Sequence, residues 1–343
     1  MDRATCIAHT HIMTHYQPFQ VQALNYFMRD HTDVVTNPVQ SPADWRGSDM
    51  REQAPLWRAE LTSDDIAELE AAIEVFQVTG KAMGELTRSA FPLPHLSRKI
   101  ADWQREISHG RGFIVIRGLP VATWGEEASA LAYWGIGHYL GKPGAQNPQG
   151  ELLGHVIDYG EEKDNPIVRR YRTTGNIDFH CDAADAVGLL CLQTAKSGGQ
   201  SRIVSSVAVF NAVARDHPEL LPRLFQPFML DRRGEHRPDE PAYLPIQPCC
   251  LGADGQLRTF YHSEYFRSAA RHDAVTIDPD AQQILDIYDR LCASPDFHLD
   301  MWLKRGDMQF ISNHTILHAR TGYEDWPDID RKRHLLRLWL SFL

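Results

Sequence analysis

Near residue 150 the spacing of apolar residues changes, and with it the kind of fold the chain can adopt. Before that point the repeats are helical. Ser63 opens a predicted helix: Asp64 and Asp65 suit its positive end, Ile66, Leu69, Ile73 and Phe76 recur at helical spacing, and Gly80 closes it. A second helix runs through Leu96, Ile100, Trp103 and Ile107. Gly110 and Gly112 end it ahead of a short strand, Phe113 to Ile116, which Gly118 and Pro120 stop. A third helix is predicted over roughly 125–139. After residue 150 the apolar runs are short and bounded by turns: Val187 to Leu192, Met308 to Ile311 and Leu335 to Leu340. Two helical insertions, about 207–216 and 279–292, interrupt them. Short strands without regular βαβ alternation predict an antiparallel sandwich or barrel.

Residues 1–60, with scattered Pro and Trp, read as irregular. His9, His11 and His15 belong there to a free terminus rather than to a metal tract. Gly135-Ile136-Gly137 with Gly141 has the wrong spacing for a dinucleotide loop and no strand before it, so it marks a helix end. No Pro-, Gly- or Ser-rich linker divides the 343 residues. The expectation is one structural domain: a helical extension over 1–110 packed on a core over 111–343. The formal net charge of −10 argues against a nucleic-acid partner, because phosphate binding needs basic patches. No apolar run is long enough to cross a membrane. Charge and histidine occupy the N-terminus where a signal peptide has its apolar stretch, and the six cysteines show no CxxC spacing, so a cytoplasmic protein with reduced thiols is expected.

The chemistry is carried by a tripeptide that is weak alone. His-x-Asp/Glu occurs five times, as His31-Thr32-Asp33, His180-Cys181-Asp182, His217-Pro218-Glu219, His262-Ser263-Glu264 and His298-Leu299-Asp300. Context separates them. His180 follows Ile177 and Phe179 and precedes the strongest apolar strand. On an extended segment i and i+2 share a face, so His180 and Asp182 converge while Phe179 and Cys181 point away. A third ligand must come from elsewhere, and Ser312 to Arg320 offers His318, with His314 as a hydrogen-bonding neighbour. Two imidazoles and one carboxylate on one face of a metal form the ligand set of non-haem Fe(II) oxygenases.

Arg333 to Leu340 alternates so that Arg333, Leu335, Arg337 and Trp339 share a face. Two guanidiniums on the inner face of a terminal strand are costly unless each meets an anion. Internal Asp or Glu could supply it, and so could a ligand.

Taken in order, these motifs resemble the taurine dioxygenase (TauD/TfdA-like) family of Fe(II)/2-oxoglutarate oxygenases, within the clavaminate-synthase-like superfamily. Phe179-His180-Cys181-Asp182 is similar to its ligand pair and Gly198-Gly199-Gln200-Ser201 to its glycine turn. His318 is similar to its distal ligand, and Arg333 with Arg337 to its closing R-x-x-x-R. The resemblance spans roughly residues 110–343. It implies an α+β, mainly β fold: a double-stranded β-helix (jelly-roll) core with an N-terminal helical layer and helical insertions. It implies that His180, Asp182 and His318 bind Fe(II), that Ser201 and Arg333 hold 2-oxoglutarate, and that Arg337 binds an anionic group of a small-molecule substrate. The helical layer would act as a scaffold or as a homo-oligomer contact.

The activity implied consumes O2 and 2-oxoglutarate, releases succinate and CO2, and oxidises an aliphatic C–H of a small acid, amino acid or natural-product intermediate. Related halogenases lack the carboxylate ligand. Asp182 therefore points to hydroxylation, with desaturation or cyclisation as variants. Cys181 departs from the commoner Thr and is expected to expose the site to oxidative damage. His155, Arg170, Arg172 and Asp185 are further residues expected to line the pocket. Two rivals stand beside this reading: a zinc hydrolase using the same ligands, which leaves Ser201, Arg333 and Arg337 without a task, and a non-catalytic metal-binding jelly-roll.

Overall fold

The computed structural model describes residues 15–28, 31–32, 34–160, 172–236 and 238–342. His9, His11 and Arg170 lie outside them.

Two antiparallel sheets form the centre. The major sheet contains β1 (Arg58–Glu60), β2 (Phe113–Arg117), β3 (Lys142–Gly144), β4 (Gly154–Val156), β6 (Ala186–Gln193), β9 (Met308–Ser312) and β11 (His334–Ser341). The minor sheet contains β5 (Ile177–His180), β7 (Ser201–Ser205), β8 (His298–Met301) and β10 (Ile316–Arg320). The strand orders are β1-β2-β9-β6-β11-β3, with β4 also on β11, and β8-β7-β10-β5. Only β1 runs parallel to its neighbour, β2. Neighbouring strands are mostly distant in sequence, as the jelly-roll requires.

Alternation along each strand decides which core a residue joins. Phe113, Val115, Val187, Ile311 and Trp339 of the major sheet meet Ile203, Leu299, Met301 and Ile316 of the minor sheet in one apolar cluster, the filling of the sandwich. The residues between them face the other way. Ile114, Ile116, Leu190, Met308, Phe310, Leu336, Leu338 and Leu340 pack against α2 (Ser63–Val78), α3 (Leu96–His109) and α4 (Val121–Leu140). Each fully buried Leu on that face is worth roughly 1.5–3 kcal/mol. On the far side of the minor sheet, α5 (Ser206–Asp216) and α6 (Pro279–Ala293) cover Cys181, Val204 and Leu317. Helices therefore shield both outer faces, and the space between the sheets is left for chemistry.

The predicted helices and strands appear close to their expected bounds. Thr62 caps α2 and shares a capping box with Asp65, whose carboxylate also accepts from Lys99. The described residues before position 61 are more regular than expected. They contain a helix at Phe19–Phe27 and the strand β1, which joins the major sheet. The helix escaped notice because its buried residues are Gln22 and Tyr26 rather than an apolar stripe. Gln22 donates to the Ala145 carbonyl, and the Tyr26 hydroxyl donates to the Asn313 carbonyl. Docking by polar contacts leaves no hydrophobic period to read.

Candidate metal centre

The pairing of β5 with β10 sets the site. His180 and His318 are direct cross-strand partners, and their rings approach to 4.1 Å between centroids. Asp182, two residues beyond His180, brings Oδ2 to 3.8 Å from His318 Nε2. One ligand atom from each of the three lies within 4.8 Å of the others. The two halves of the triad, far apart in sequence, thus meet in space.

Each group is held ready to ligate. The Nδ1–H of His180 donates to the Asp178 carbonyl at 2.8 Å, which holds the ring and leaves Nε2 as the nitrogen available to a metal. Burial lowers the His318 pKa to about 3, and the neighbouring His180 adds to that, so its imidazole is neutral. Burial alone would raise the Asp182 pKa, but Arg337 outweighs it with help from the two imidazoles and Trp339, and the carboxylate stays ionised. The Trp339 indole N–H donates to Asp182 Oδ2 at 3.0 Å, and Arg337 Nη1 stands 3.7 Å from Oδ1. Such supporting contacts aim a carboxylate ligand. The donor set, two imidazoles with an ionised and oriented carboxylate, fits a divalent iron.

Beside the triad lies a buried cationic pocket. Ser201 pairs across the sheet with Arg320, and its hydroxyl donates to Gln309 Oε1 at 2.8 Å. Arg333 and Arg320 are both buried, with Arg333 Nη1 and Arg320 Nε and Nη1 unbonded. Neither guanidinium has a carboxylate partner among the described residues. Burial, together with the Arg333 charge, lowers Arg320 to about 10. Both guanidiniums face the ring of Tyr323, at 4.8 and 5.1 Å. Unpaired buried cations mark a place for an anion. The glycine turn makes room for Arg333: Gly198 and Gly199 both have positive φ, and a Cβ on Gly199 would come within 3.0 Å of Arg333 Nε. Arg320 was not singled out from the sequence. It lies two residues past His318 on β10, a position that only the pairing with Ser201 makes informative.

Arg337 differs from Arg333. Its Nε donates to Gln146 Oε1 at 2.7 Å, and Asp182 lies beyond it, so any anion it bound would share it with the triad.

Several expected pocket residues lie elsewhere. His155 is on the outer face of the major sheet, opposite the triad, because β4 pairs it with Leu336 of the helix-facing set. Asp185 is a buried structural group that accepts from the Phe342 N–H and bonds to His314. His314 also stacks on Tyr26. Arg172 lies over Tyr159. Cys181 points away as expected, but it is not exposed to oxidation: its sulfur is buried in the outer core, and burial pushes the thiol well above its ordinary pKa.

The competing tripeptides have other duties. His298 bonds to the Cys292 carbonyl while Asp300 pairs with Arg202. His217 ends α5 beside Glu219. Glu264 pairs with Arg233. His31 lies on a short strand, and Asp33 is outside the described residues. His262 is the nearest rival: it bridges to His180 across the backbone and stacks on Tyr265.

The family described as taurine catabolism dioxygenase TauD, TfdA family matches residues 74–339. The match begins inside the helical layer, well before the residue 110 expected from the sequence. FR-33289 synthase of Streptomyces rubellomurinus is 30% identical over 315 residues, covering 90% of this chain and 92% of that protein. A taurine hydroxylase-like protein of Stachybotrys chartarum is 31% identical over 293 residues, or 81% of this chain and 73% of that one. Among solved structures, an asparagine oxygenase in complex with Fe(II), 2S,3S-3-hydroxyasparagine and succinate superposes with a TM-score of 0.65 at 17% identity, over 83% of this chain and 93% of that one. The non-haem iron oxygenase OrfP, in complex with Fe and alpha-ketoglutaric acid, gives 0.58 at 17% identity and the same coverage. These two share the jelly-roll fold.

Proposed function

Because this chain belongs to the TauD, TfdA family of dioxygenases, we propose that His180, Asp182 and His318 hold its Fe(II). The protein is an Fe(II)- and 2-oxoglutarate-dependent dioxygenase. When bound, iron and 2-oxoglutarate would supply the activation of O2, the oxidant: 2-oxoglutarate gives two electrons and leaves as succinate and CO2, and an aliphatic C–H of a small-molecule substrate gives the other two and is hydroxylated.

The residues of this chain bind, orient and exclude water. Arg333 and Ser201 hold the distal carboxylate of 2-oxoglutarate, with Arg320 completing the cationic end. Trp339 and Arg337 keep the Asp182 carboxylate aimed at the metal. Arg337 also faces the substrate. A guanidinium already paired with one carboxylate favours an anionic partner of modest size, a small acid or amino acid. Helices α2 and α3 cover the outer face of the major sheet as part of the same unit.

The observation that carries this reading is the joining of a triad, two imidazoles and a carboxylate, to buried guanidiniums without carboxylate partners. A hydrolytic zinc centre would leave those guanidiniums unmatched. The test is succinate formation by metal-free protein given Fe(II), 2-oxoglutarate and O2, with a panel of small acids and amino acids. Iron-dependent succinate that rises with one class of acid supports the proposal. Folded protein that releases no succinate with or without any acid would overturn it.

A further inference from the structure

A second cluster of two histidines and a carboxylate lies on the opposite side of the major sheet, where neither the iron nor the 2-oxoglutarate reading gives it a task. His334 begins β11, one residue after Arg333. His155 stands on β4, next to it through the pairing of Leu336 with His155. Glu126 comes from α4, whose helix is broken at Gly125 by a positive φ of 74° and resumes with Glu126. Three elements therefore deliver one side chain each to a single point.

The distances put one ligand atom of each residue within reach of a single ion. His155 Nδ1 is 2.8 Å from His334 Nε2. The Glu126 oxygens lie 3.9 Å from His155 Nδ1 and 3.8 Å from His334 Nδ1. All three residues offer ligand atoms within 4.8 Å of one another. Two imidazole nitrogens this close can share only one proton, and the carboxylate is too far to accept it. Tetrahedral zinc, with bonds of about 2.0–2.2 Å, sets its ligand atoms roughly 3.3 Å apart. To match that spacing, with His155 Nδ1 and His334 Nε2 as the ligand nitrogens, the imidazole pair needs to open by about half an ångström and the Glu126 carboxylate to close on His155 Nδ1 by about the same. Glu126 and His155 are 55% and 40% exposed, so both can move. His334 is the more enclosed member, at 17%, and gives the site a fixed ligand. A cavity of about 560 Å³, lined by Glu126, His155, Leu152 and Leu336, gives a metal and its waters access from solvent.

The geometry points to a second metal site at Glu126, His155 and His334 that takes a borderline divalent transition metal such as Zn(II), with water in its remaining position. Imidazole nitrogen selects this class over Mg(II) and Ca(II), which prefer oxygen. Such a metal would tie α4 to the first residue of β11, the strand that presents Arg337 and Trp339 to the interior and follows directly on Arg333. It would staple the helical layer to the strand that carries the site.

The test counts metal. Metal-free full-length protein is dialysed to equilibrium against Zn(II), and bound zinc per chain is measured for the parent, Asp182→Ala, His155→Ala and the double variant. The expected counts are two, one, one and none. Glu126→Gln, a change at an exposed helical position, should also lose one zinc while keeping the parental circular dichroism. In the Asp182→Ala background, Zn(II) should raise the melting temperature, and Glu126→Gln should abolish that rise. If Asp182→Ala binds no zinc, or if His155→Ala and Glu126→Gln bind as much as the parent, the second site does not exist. A count of two that Asp182→Ala leaves unchanged would instead fault the triad assignment, so the two failures are distinguishable.

Discussion

The inner and outer faces of β11 carry the same kinds of ligand chemistry under opposite conditions. Inward, Arg337 and Trp339 reach Asp182 of a triad whose members are enclosed by two sheets. Outward, His334 meets His155 and Glu126 at a rim open to solvent. Both clusters hold two imidazoles and a carboxylate. The inner one alone has its carboxylate aimed by two further donors, a histidine ring held by a backbone carbonyl, and unpaired guanidiniums beside it. Ligand inventory therefore does not define an oxygenase site. Enclosure, orientation and a matched place for an anionic co-substrate do.

The largest effect expected from breaking that contrast is at the inner carboxylate. Asp182→Ala should abolish iron-dependent succinate formation, read as succinate released per chain, while the protein stays folded. Arg333→Ala should leave Fe(II) affinity close to parental and raise the KM for 2-oxoglutarate on the order of a hundredfold or more, the scale on which a buried charge loses its partner. Steady-state kinetics with the Fe(II) concentration saturating separates the two variants.

Trp339→Phe keeps an aromatic ring and removes the N–H to Asp182 Oδ2. It should weaken iron affinity or turnover by roughly 10–100-fold, the usual reach of a group that orients a ligand. A parental Fe(II) titration for this variant would show that the indole packs and does not orient.

The smallest effect belongs to the outer layer and concerns pH. His138 on α4 is buried against Trp134, and burial lowers its pKa from 6.5 to about 4. Between those values the unfolded chain holds a proton that the folded protein does not, so stability falls as the pH drops from about 6.5 towards 4, by up to roughly 1.4 kcal/mol per pH unit. Urea unfolding of the parent and His138→Gln at pH 7 and pH 5 should show a smaller acid loss in the variant.

The sequence made the inner face legible because its residues obey strand alternation: His180 with Asp182, and Arg333 with Leu335, Arg337 and Trp339. Helices α2 to α4 were legible for the same reason at a period of 3.6. The Phe19–Phe27 helix was not, since it docks through Gln22 and Tyr26 rather than an apolar stripe. His155 was expected to line the pocket from its nearness to the triad in sequence, but nearness along the chain does not fix a face; its pairing with Leu336 puts it on the outer one. Arg320 was passed over because one arginine after a ligand has no pattern of its own. Its unbonded nitrogens are visible only once Ser201 and Arg333 stand beside it.

The most direct measurement is an anaerobic one. Fe(II) and 2-oxoglutarate are added to metal-free protein, and the weak visible charge-transfer band of a chelated Fe(II)–keto-acid complex is recorded for the parent, His155→Ala and His318→Ala. The band should appear in the parent and in His155→Ala and vanish in His318→Ala. A band that survives in His318→Ala, or its absence from the folded parent, would contradict the inner triad as the iron site.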